Sequence, residues 1–247
     1  MFEETKNRGL FSAQQDTSDI TVAKSFMTQV FGWMTLAMVA TAITAYLFAS
    51  SDALINTLRV VVDGRTSLTP LGWFVTLSPI GFVLLMSFGF QRLSPAVLTL
   101  LFITFSVLMG MSLSFILLAY TAASVYKTFA VTAAMFGIMA VTGYTTKTDL
   151  TKFGSMMMMG LIGMLIAMLV NFFMQSSTMD YIISIIGVLV FTGLTAYDVQ
   201  RLKRIGAGAG EYGEANTRKL SILGALTLYL DFINLFLFLL RFLGDRK

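Results

Sequence analysis

The chain contains no cysteine and no histidine, and only 12% of its 247 residues are charged. It therefore cannot form a disulfide, a thiol nucleophile, an imidazole relay, a Cys/His metal site or a haem site with such ligands. Any ion chemistry must use carboxylates and other oxygen ligands. Charge is also scarce, because soluble domains carry about 25% charged residues.

Long apolar segments fill most of the sequence. Hydrophobic residues make up 56% of it, and the mean hydropathy is +0.80. A run of about 20 apolar residues can cross a hydrocarbon core about 30 Å thick. We predict an all-α membrane protein that forms one bundle of seven transmembrane helices. The predicted spans 1 to 7 are residues 26–49, 71–90, 96–119, 128–146, 153–174, 181–200 and 220–243.

Residues 1–24 are polar and lack the apolar stretch of a cleavable signal peptide. We predict a flexible tail there, followed by a single transmembrane domain over residues 25–247. Eleven Lys and Arg residues fall on the N-terminal side of the spans and six on the other. The positive-inside rule then predicts a cytosolic N-terminus. The net charge of +4 indicates topology and headgroup contacts, and no nucleic-acid partner.

Two linkers are long, at residues 51–69 and 203–218. The second is rich in glycine and polar residues, which predicts a mobile loop. Pro79 falls inside span 2 and predicts a kink, since proline removes a backbone hydrogen bond there. A static packing kink is the simpler interpretation, and a hinge for a moving span 2 is the functional one.

Of the 13 acidic residues, only Asp198 and Asp231 fall well inside predicted spans. Ionisable groups at such depth usually face a bundle interior or a water-filled cavity and mark an ion path. The alternative is structural, with each aspartate paired to an arginine or capping a backbone break. Two such residues on consecutive spans favour function. The polar residues that share a face with them are Thr195 and Arg201 in span 6, and Ser221, Gly224, Thr227, Asn234 and Arg241 in span 7.

Spans 6 and 7 are antiparallel, so Asp198 and Asp231 can meet, although the sequence does not force contact. If they meet, two ionised carboxylates are unfavourable in a low dielectric, and the pair would share a proton as a pH switch. With Asn234 they could bind Ca²⁺ weakly and transiently, as permeation requires, because a tight site needs about six to eight oxygens. Thr195, Thr227 and Asn234 are the candidate polar lining of the path.

Three segments carry a family resemblance: "TAYDVQRLK" in span 6, "LTLYLDFINLFLFLLRFLG" in span 7, and "GYTTKTDLTKFGSMMMMGLIGMLIAMLVNFF" leading into span 5. They resemble the signature segments of the Bax inhibitor-1 (transmembrane Bax-inhibitor-motif) family, including its bacterial members. The similarity covers all seven spans and is strongest from residue 143 onward. It implies a bundle with span 7 at its centre, located in the inner membrane of a bacterial cell.

The resemblance also implies a pH-sensitive calcium leak gated by an aspartate pair, which corresponds here to Asp198 and Asp231. In the family's closed form, an arginine at the cytosolic end of span 2 can latch the span 6 aspartate. This sequence departs from that pattern, since Gln91 takes the matching position and Arg92 follows it. A shift of one residue rotates a helical side chain by about 100°. The long stem of Arg92 could still allow it to substitute.

Three functions remain open. The first is a calcium leak that needs no bound cofactor, has Ca²⁺ and protons as its partners in the bilayer, and runs within one protomer. The second is a non-enzymatic modulator or inhibitor of a membrane protease or other membrane complex, acting through residues 1–24. The third, an intramembrane aspartyl protease, is the least favoured, because Asp231 lies in "LYLDF" and not in G-x-G-D. We therefore predict that the protein is not an enzyme.

Overall fold

The computed structural model describes the backbone of residues 2–62 and 65–247, and the side chains of residues 21–61 and 66–247. In this part of the chain, seven helices are long and apolar enough to cross a membrane, which confirms the predicted all-α membrane architecture. The elements are α1 Phe2–Ser50 with the span Thr21–Ser50, α2 Asp52–Leu58, β1 Arg59–Val62, β2 Arg65–Leu68, α3 Pro70–Gly89, α4 Pro95–Ala119, α5 Ala122–Thr145, α6 Thr151–Met174, α7 Ser177–Ala207 and α8 Gly213–Leu243.

Hydroxyl side chains fix where several of these helices begin. Each accepts a hydrogen bond from the backbone N–H three residues later, which satisfies a donor that the helix leaves free. Proline follows at the first position of α3 and α4, where its missing N–H has no consequence. The capping residues are Thr69 for α3, Ser94 for α4, Thr121 for α5 and Ser176 for α7.

The long linkers contain more regular structure than we predicted. Within the linker 51–69, Asp52–Leu58 form α2, and β1 pairs with β2 as an antiparallel hairpin. The predicted mobile loop over 203–218 is wrong in extent, because α7 continues to Ala207 and α8 begins at Gly213. Helix continues there because tertiary packing outweighs the local glycine signal. Gly206, for example, packs directly on Phe26 of α1.

The N-terminal region begins as helix at Phe2. Ala23 is already buried and lies beside Gly206 of α7. The predicted start of the transmembrane domain at residue 25 stays a prediction. The side chains of residues 1–20 lie outside the described part of the chain, and the flexibility of the tail stays a prediction.

Helix α8 is the most buried of the seven. Within the most apolar 18-residue segment of each helix, 72% of the residues are buried in α8, against 61% in α7 and 11% in α6. It packs mainly against α1, α4, α5 and α7. Tyr229 of α8 is fully buried against Phe105 of α4 and hydrogen-bonds Thr41 of α1 at 2.7 Å. The central place implied for span 7 and the cytosolic N-terminus stay predictions.

Gly143 allows the backbones of α5 and α7 to touch. A Cβ atom at this position would collide with the backbone carbonyl of Ala196. We expect Gly143→Val to lower the free energy of unfolding by about 1–3 kcal/mol, since neither backbone can move aside. The measurement is the midpoint of thermal unfolding in detergent. Gly137→Val, where a Cβ would meet open space, is the control, and equal midpoints for the two variants would contradict this close packing.

Candidate functional site

Asp198 of α7 and Asp231 of α8 meet inside the bundle, with their carboxyl groups within hydrogen-bonding range of each other. Only 6% of Asp198 and 5% of Asp231 is exposed. They meet because α7 and α8 are antiparallel and are joined by the short turn 208–212. An ionised carboxylate only accepts hydrogen bonds, so a hydrogen bond between the two acids would need a proton on one of them.

Among the described residues, no basic side chain forms an ion pair with either aspartate. Arg201 lies within electrostatic range of Asp198. However, the one ion pair among residues 21–61 and 66–247 joins other residues, Arg204 and Asp149. Oδ2 of Asp231 is buried and receives no hydrogen bond from any donor in the described part of the chain. The structure therefore does not support the simpler interpretation in which each aspartate is paired with an arginine.

A cleft of about 580 Å³ runs beside the pair, between α3, α6, α7 and α8. Its lining on α8 extends from Leu220 to Phe238, which corresponds to about 27 Å of helix. That length is close to the thickness of a hydrocarbon core, about 30 Å. Most of the wall is apolar. The polar lining residues are Ser87, Asp198, Arg201, Thr227, Asp231 and Asn234.

The structure brings Thr227 and Asn234 to the cleft with the two aspartates, but not Thr195. Thr195 is fully buried, and its hydroxyl donates to the carbonyl of Phe191 in its own helix at 2.8 Å. Its predicted place in the polar lining is therefore corrected. A threonine inside a helix can satisfy its hydroxyl on the preceding turn and then needs no polar cavity.

The two candidate latch residues do not reach Asp198 in this conformation. Gln91 and Arg92 lie exposed in the turn between α3 and α4, and Arg201 is the basic residue that acts on Asp198. A different basic residue, Lys219 of α8, contacts the end of α3. Its Nζ donates a hydrogen bond to the carbonyl oxygen of Phe90 at 3.2 Å. No sequence signal distinguishes Lys219 from other lysines that flank a span. The latch stays a prediction.

The part of α7 next to Asp198 is held by a contact that the sequence did not reveal. Gln200 bridges the loop between α5 and α6: its amide donates to the Thr148 carbonyl at 2.8 Å and accepts from the Leu150 N–H at 2.8 Å. Glutamine near a helix end resembles an ordinary solvent-facing residue. Here it is buried and fixes the backbone two residues away from Asp198.

Asp149 in that loop provides an internal control for pH experiments. Hydrogen bonds from the Thr151 hydroxyl and N–H, and then the pairing with Arg204, hold the pKa of Asp149 below its ordinary value of 3.8. A carboxyl group whose pKa is lowered by folding stabilises the folded protein at pH values above its ordinary pKa. That stabilisation is lost only as the pH falls through the lowered pKa. Asp149 therefore stays ionised between about pH 6 and 8.

We expect Asp149→Asn to leave the midpoint of any pH-dependent ion flux unchanged over that range. Flux from reconstituted liposomes, measured in small pH steps, tests this. A displaced midpoint would mean that the loop, and not the buried pair, senses the proton.

Comparison with known proteins covers nearly the whole chain. A family model described as "Inhibitor of apoptosis-promoting Bax1" matches residues 23–247. The inner membrane protein YbhL of Escherichia coli is 47% identical over 224 residues, which cover 91% of this chain and 93% of that protein. Proteins of Borreliella burgdorferi and Caulobacter vibrioides are 40% identical, covering 94% and 98% of this chain and 97% and 98% of their own lengths. The matched range includes the cleft and both aspartates.

Proposed function

The chain belongs to the family of inhibitors of apoptosis-promoting Bax1 and is a multi-pass integral protein of the inner membrane, and from this premise we propose that it is a pH-sensitive calcium leak gated by Asp198 and Asp231. One observation carries the proposal. The two buried carboxyl groups lie within hydrogen-bonding range of each other on the wall of a cleft that follows α8 for about 27 Å. The proposed activity is passive conduction and not catalysis.

The proton on the pair is the proposed switch. With one proton between them, Asp198 and Asp231 are held together by a hydrogen bond. Without it, two like charges lie in contact in a low dielectric and repel each other. Then either α7 and α8 separate or a cation enters to compensate. In both cases the number of protons bound to the pair changes either the shape of the cleft or the cations inside it. A titrating group can control a conformational equilibrium in this way.

Calcium suits the oxygen ligands that line this cleft beside Arg201. Asp198, Thr227, Asp231 and Asn234 present carboxylate, hydroxyl and amide oxygens along one wall, and Ca²⁺ binds such ligands. Among the described residues, no group of three or more Asp, Glu, His or Cys could hold a metal ion. Binding would therefore be weak, and an ion that must leave again needs weak binding.

Calcium flux into dye-loaded liposomes tests the proposal. We expect the reconstituted protein to exceed empty liposomes, with a rate that differs by at least about tenfold between pH 6 and 8, because one titrating proton can change a population by about tenfold per pH unit. The folded state is checked in parallel by thermal unfolding. Flux equal to that of empty liposomes would contradict the leak. The modulator of a membrane protease or other complex would then be the leading function.

A further inference from the structure

A second cavity of about 580 Å³ lies on the other side of α8, between α1, α4 and α5, and we call it the distal groove. Its lining on α1 runs from Met38 to Ser50, the end of that helix. This corresponds to about 18 Å of helix, slightly more than half of a hydrocarbon core about 30 Å thick. The distal groove therefore begins at one membrane surface and reaches the depth of one leaflet.

The distal groove is apolar and open to the bilayer. Its floor includes Phe232 and Phe236 of α8. Its rim includes Tyr46, Tyr126 and Phe129, which are 64%, 71% and 45% exposed. Exposed side chains on transmembrane helices face lipid, and tyrosine favours the level of the headgroups. A groove that opens on this surface would be reached by the hydrocarbon of one leaflet.

The residues after α8 place fixed positive charge at the mouth of the distal groove. The N–H of Lys247 donates to the Ala119 carbonyl at 3.0 Å. Its Nζ lies 3.4 Å from the carbonyl oxygen of Leu117, which lines the groove. These contacts join the C-terminal residues to the turn between α4 and α5.

Two further cations lie near the turn between α4 and α5. Arg246 donates from Nε to the Tyr120 hydroxyl at 3.4 Å, with its guanidinium 5.7 Å from the centre of that ring. Lys127 is exposed on α5, directly after the rim residue Tyr126. Two acidic residues are neighbours of these cations. The Asp245 carboxylate accepts a hydrogen bond from the Ser124 hydroxyl at 3.2 Å, and Asp180 lies within electrostatic range of Arg246. The three basic residues therefore exceed the acidic ones by one.

We propose that the distal groove binds an acyl chain of an anionic phospholipid whose phosphate is held by Lys127, Arg246 and Lys247. The volume lies within the range of about 300–1,000 Å³ that is typical of ligand sites. Basic side chains near a membrane surface attract anionic lipid. An apolar helix from a second protein would fill the groove but would leave the cations without a partner. This site is independent of ion conduction, since it lies on the opposite side of α8 from the aspartate cleft.

Native mass spectrometry of the whole protein tests the site, with phosphatidylglycerol or phosphatidylcholine of identical acyl chains as the probe. We expect wild type to retain at least about fivefold more phosphatidylglycerol, and each of Lys127→Gln and Lys247→Gln to lower that preference by about fivefold. Ala42→Phe should displace both lipids, since Ala42 lines the groove and is exposed. Ala134→Phe, on an exposed face of α5 outside the groove, should retain lipid like wild type.

Three outcomes would overturn the proposal. Equal phosphatidylglycerol retention by Ala42→Phe and Ala134→Phe would exclude the distal groove as the acyl site. Equal retention of both lipids by wild type would exclude the headgroup assignment. A dimer without bound lipid that is lost in Ala42→Phe would assign the groove to a second copy of the chain. Thermal unfolding of each variant, compared with Ala134→Phe, shows that a loss of lipid is not a loss of fold.

Discussion

Replacing both buried acids by amides, Asp198→Asn with Asp231→Asn, is expected to reduce the pH dependence of calcium flux from at least about tenfold to less than about twofold between pH 6 and 8. Asparagine has nearly the same shape as aspartate and can hydrogen-bond across the same contact, but it carries no titratable proton. The pair would then keep one arrangement at every pH. The measurement is the liposome flux assay at both pH values.

The matched control for this variant is Asp149→Asn, which removes an acid that is already exposed and paired with Arg204. It should keep the full pH response. We also expect the double variant to be at least as stable as wild type, because it removes two buried acids that form no ion pair with a basic side chain. A double variant that unfolds like wild type and retains a tenfold pH response would exclude the aspartate pair as the sensor.

Thr227→Trp, which places an indole in the cleft beside Asp198 and Asp231, is expected to lower calcium flux by at least about tenfold at both pH values. This corresponds to a rise of about 1.4 kcal/mol in the free-energy barrier to ion passage. Thr227 is half-buried and lies on the cleft wall four residues before Asp231. A large side chain there narrows the cleft without changing the acids. The two variants therefore separate the sensing of protons from the passage of ions.

Thr142→Trp is the matched control, because Thr142 is exposed on α5 and does not line the cleft. Both variants exchange threonine for tryptophan in a transmembrane helix. If the two variants conduct equally and unfold at the same temperature, the ion does not pass along this wall of α8. The leak would then follow another route, even if the aspartates still controlled it.

Helix existence was predictable here because it depends on local properties. Apolar length gave all seven spans, and residue pairs such as Thr69 with Pro70 mark where a helix begins. Helix ends were less predictable, since they depend on packing between distant segments. The glycines after residue 203 indicated a loop, but α7 continues through Gly206, which packs on Phe26, and ends at Ala207.

The hairpin of β1 and β2 has a local signal in the sequence, although we predicted residues 51–69 only as a linker. Three consecutive valines are followed by Asp-Gly in "VVVDGRTSL". A run of β-branched residues before Asp-Gly is typical of a strand that enters a tight hairpin turn. The hydropathy criterion that finds membrane spans does not detect such a short element.

The candidate site also contains residues that could be predicted from the sequence and residues that could not. Asp198 and Asp231 were predictable because a carboxyl group inside an apolar span is unfavourable enough to require an explanation. Gln200 and Lys219 were not, because polar residues near the end of a span need none. Thr195 shows the limit of helical periodicity, since it shares a broad face with Asp198 and still does not reach the cleft.

The burial of α8 has a consequence for biosynthesis, because α8 is also the last of the seven helices to leave the ribosome. Until its 31 residues insert, the surfaces of α1, α4, α5 and α7 that it covers have no partner. Asp198 is then a carboxyl group without its neighbour in the membrane, which is unfavourable. A nascent chain that stalls before residue 213 would therefore leave these surfaces and Asp198 without the helix that covers them.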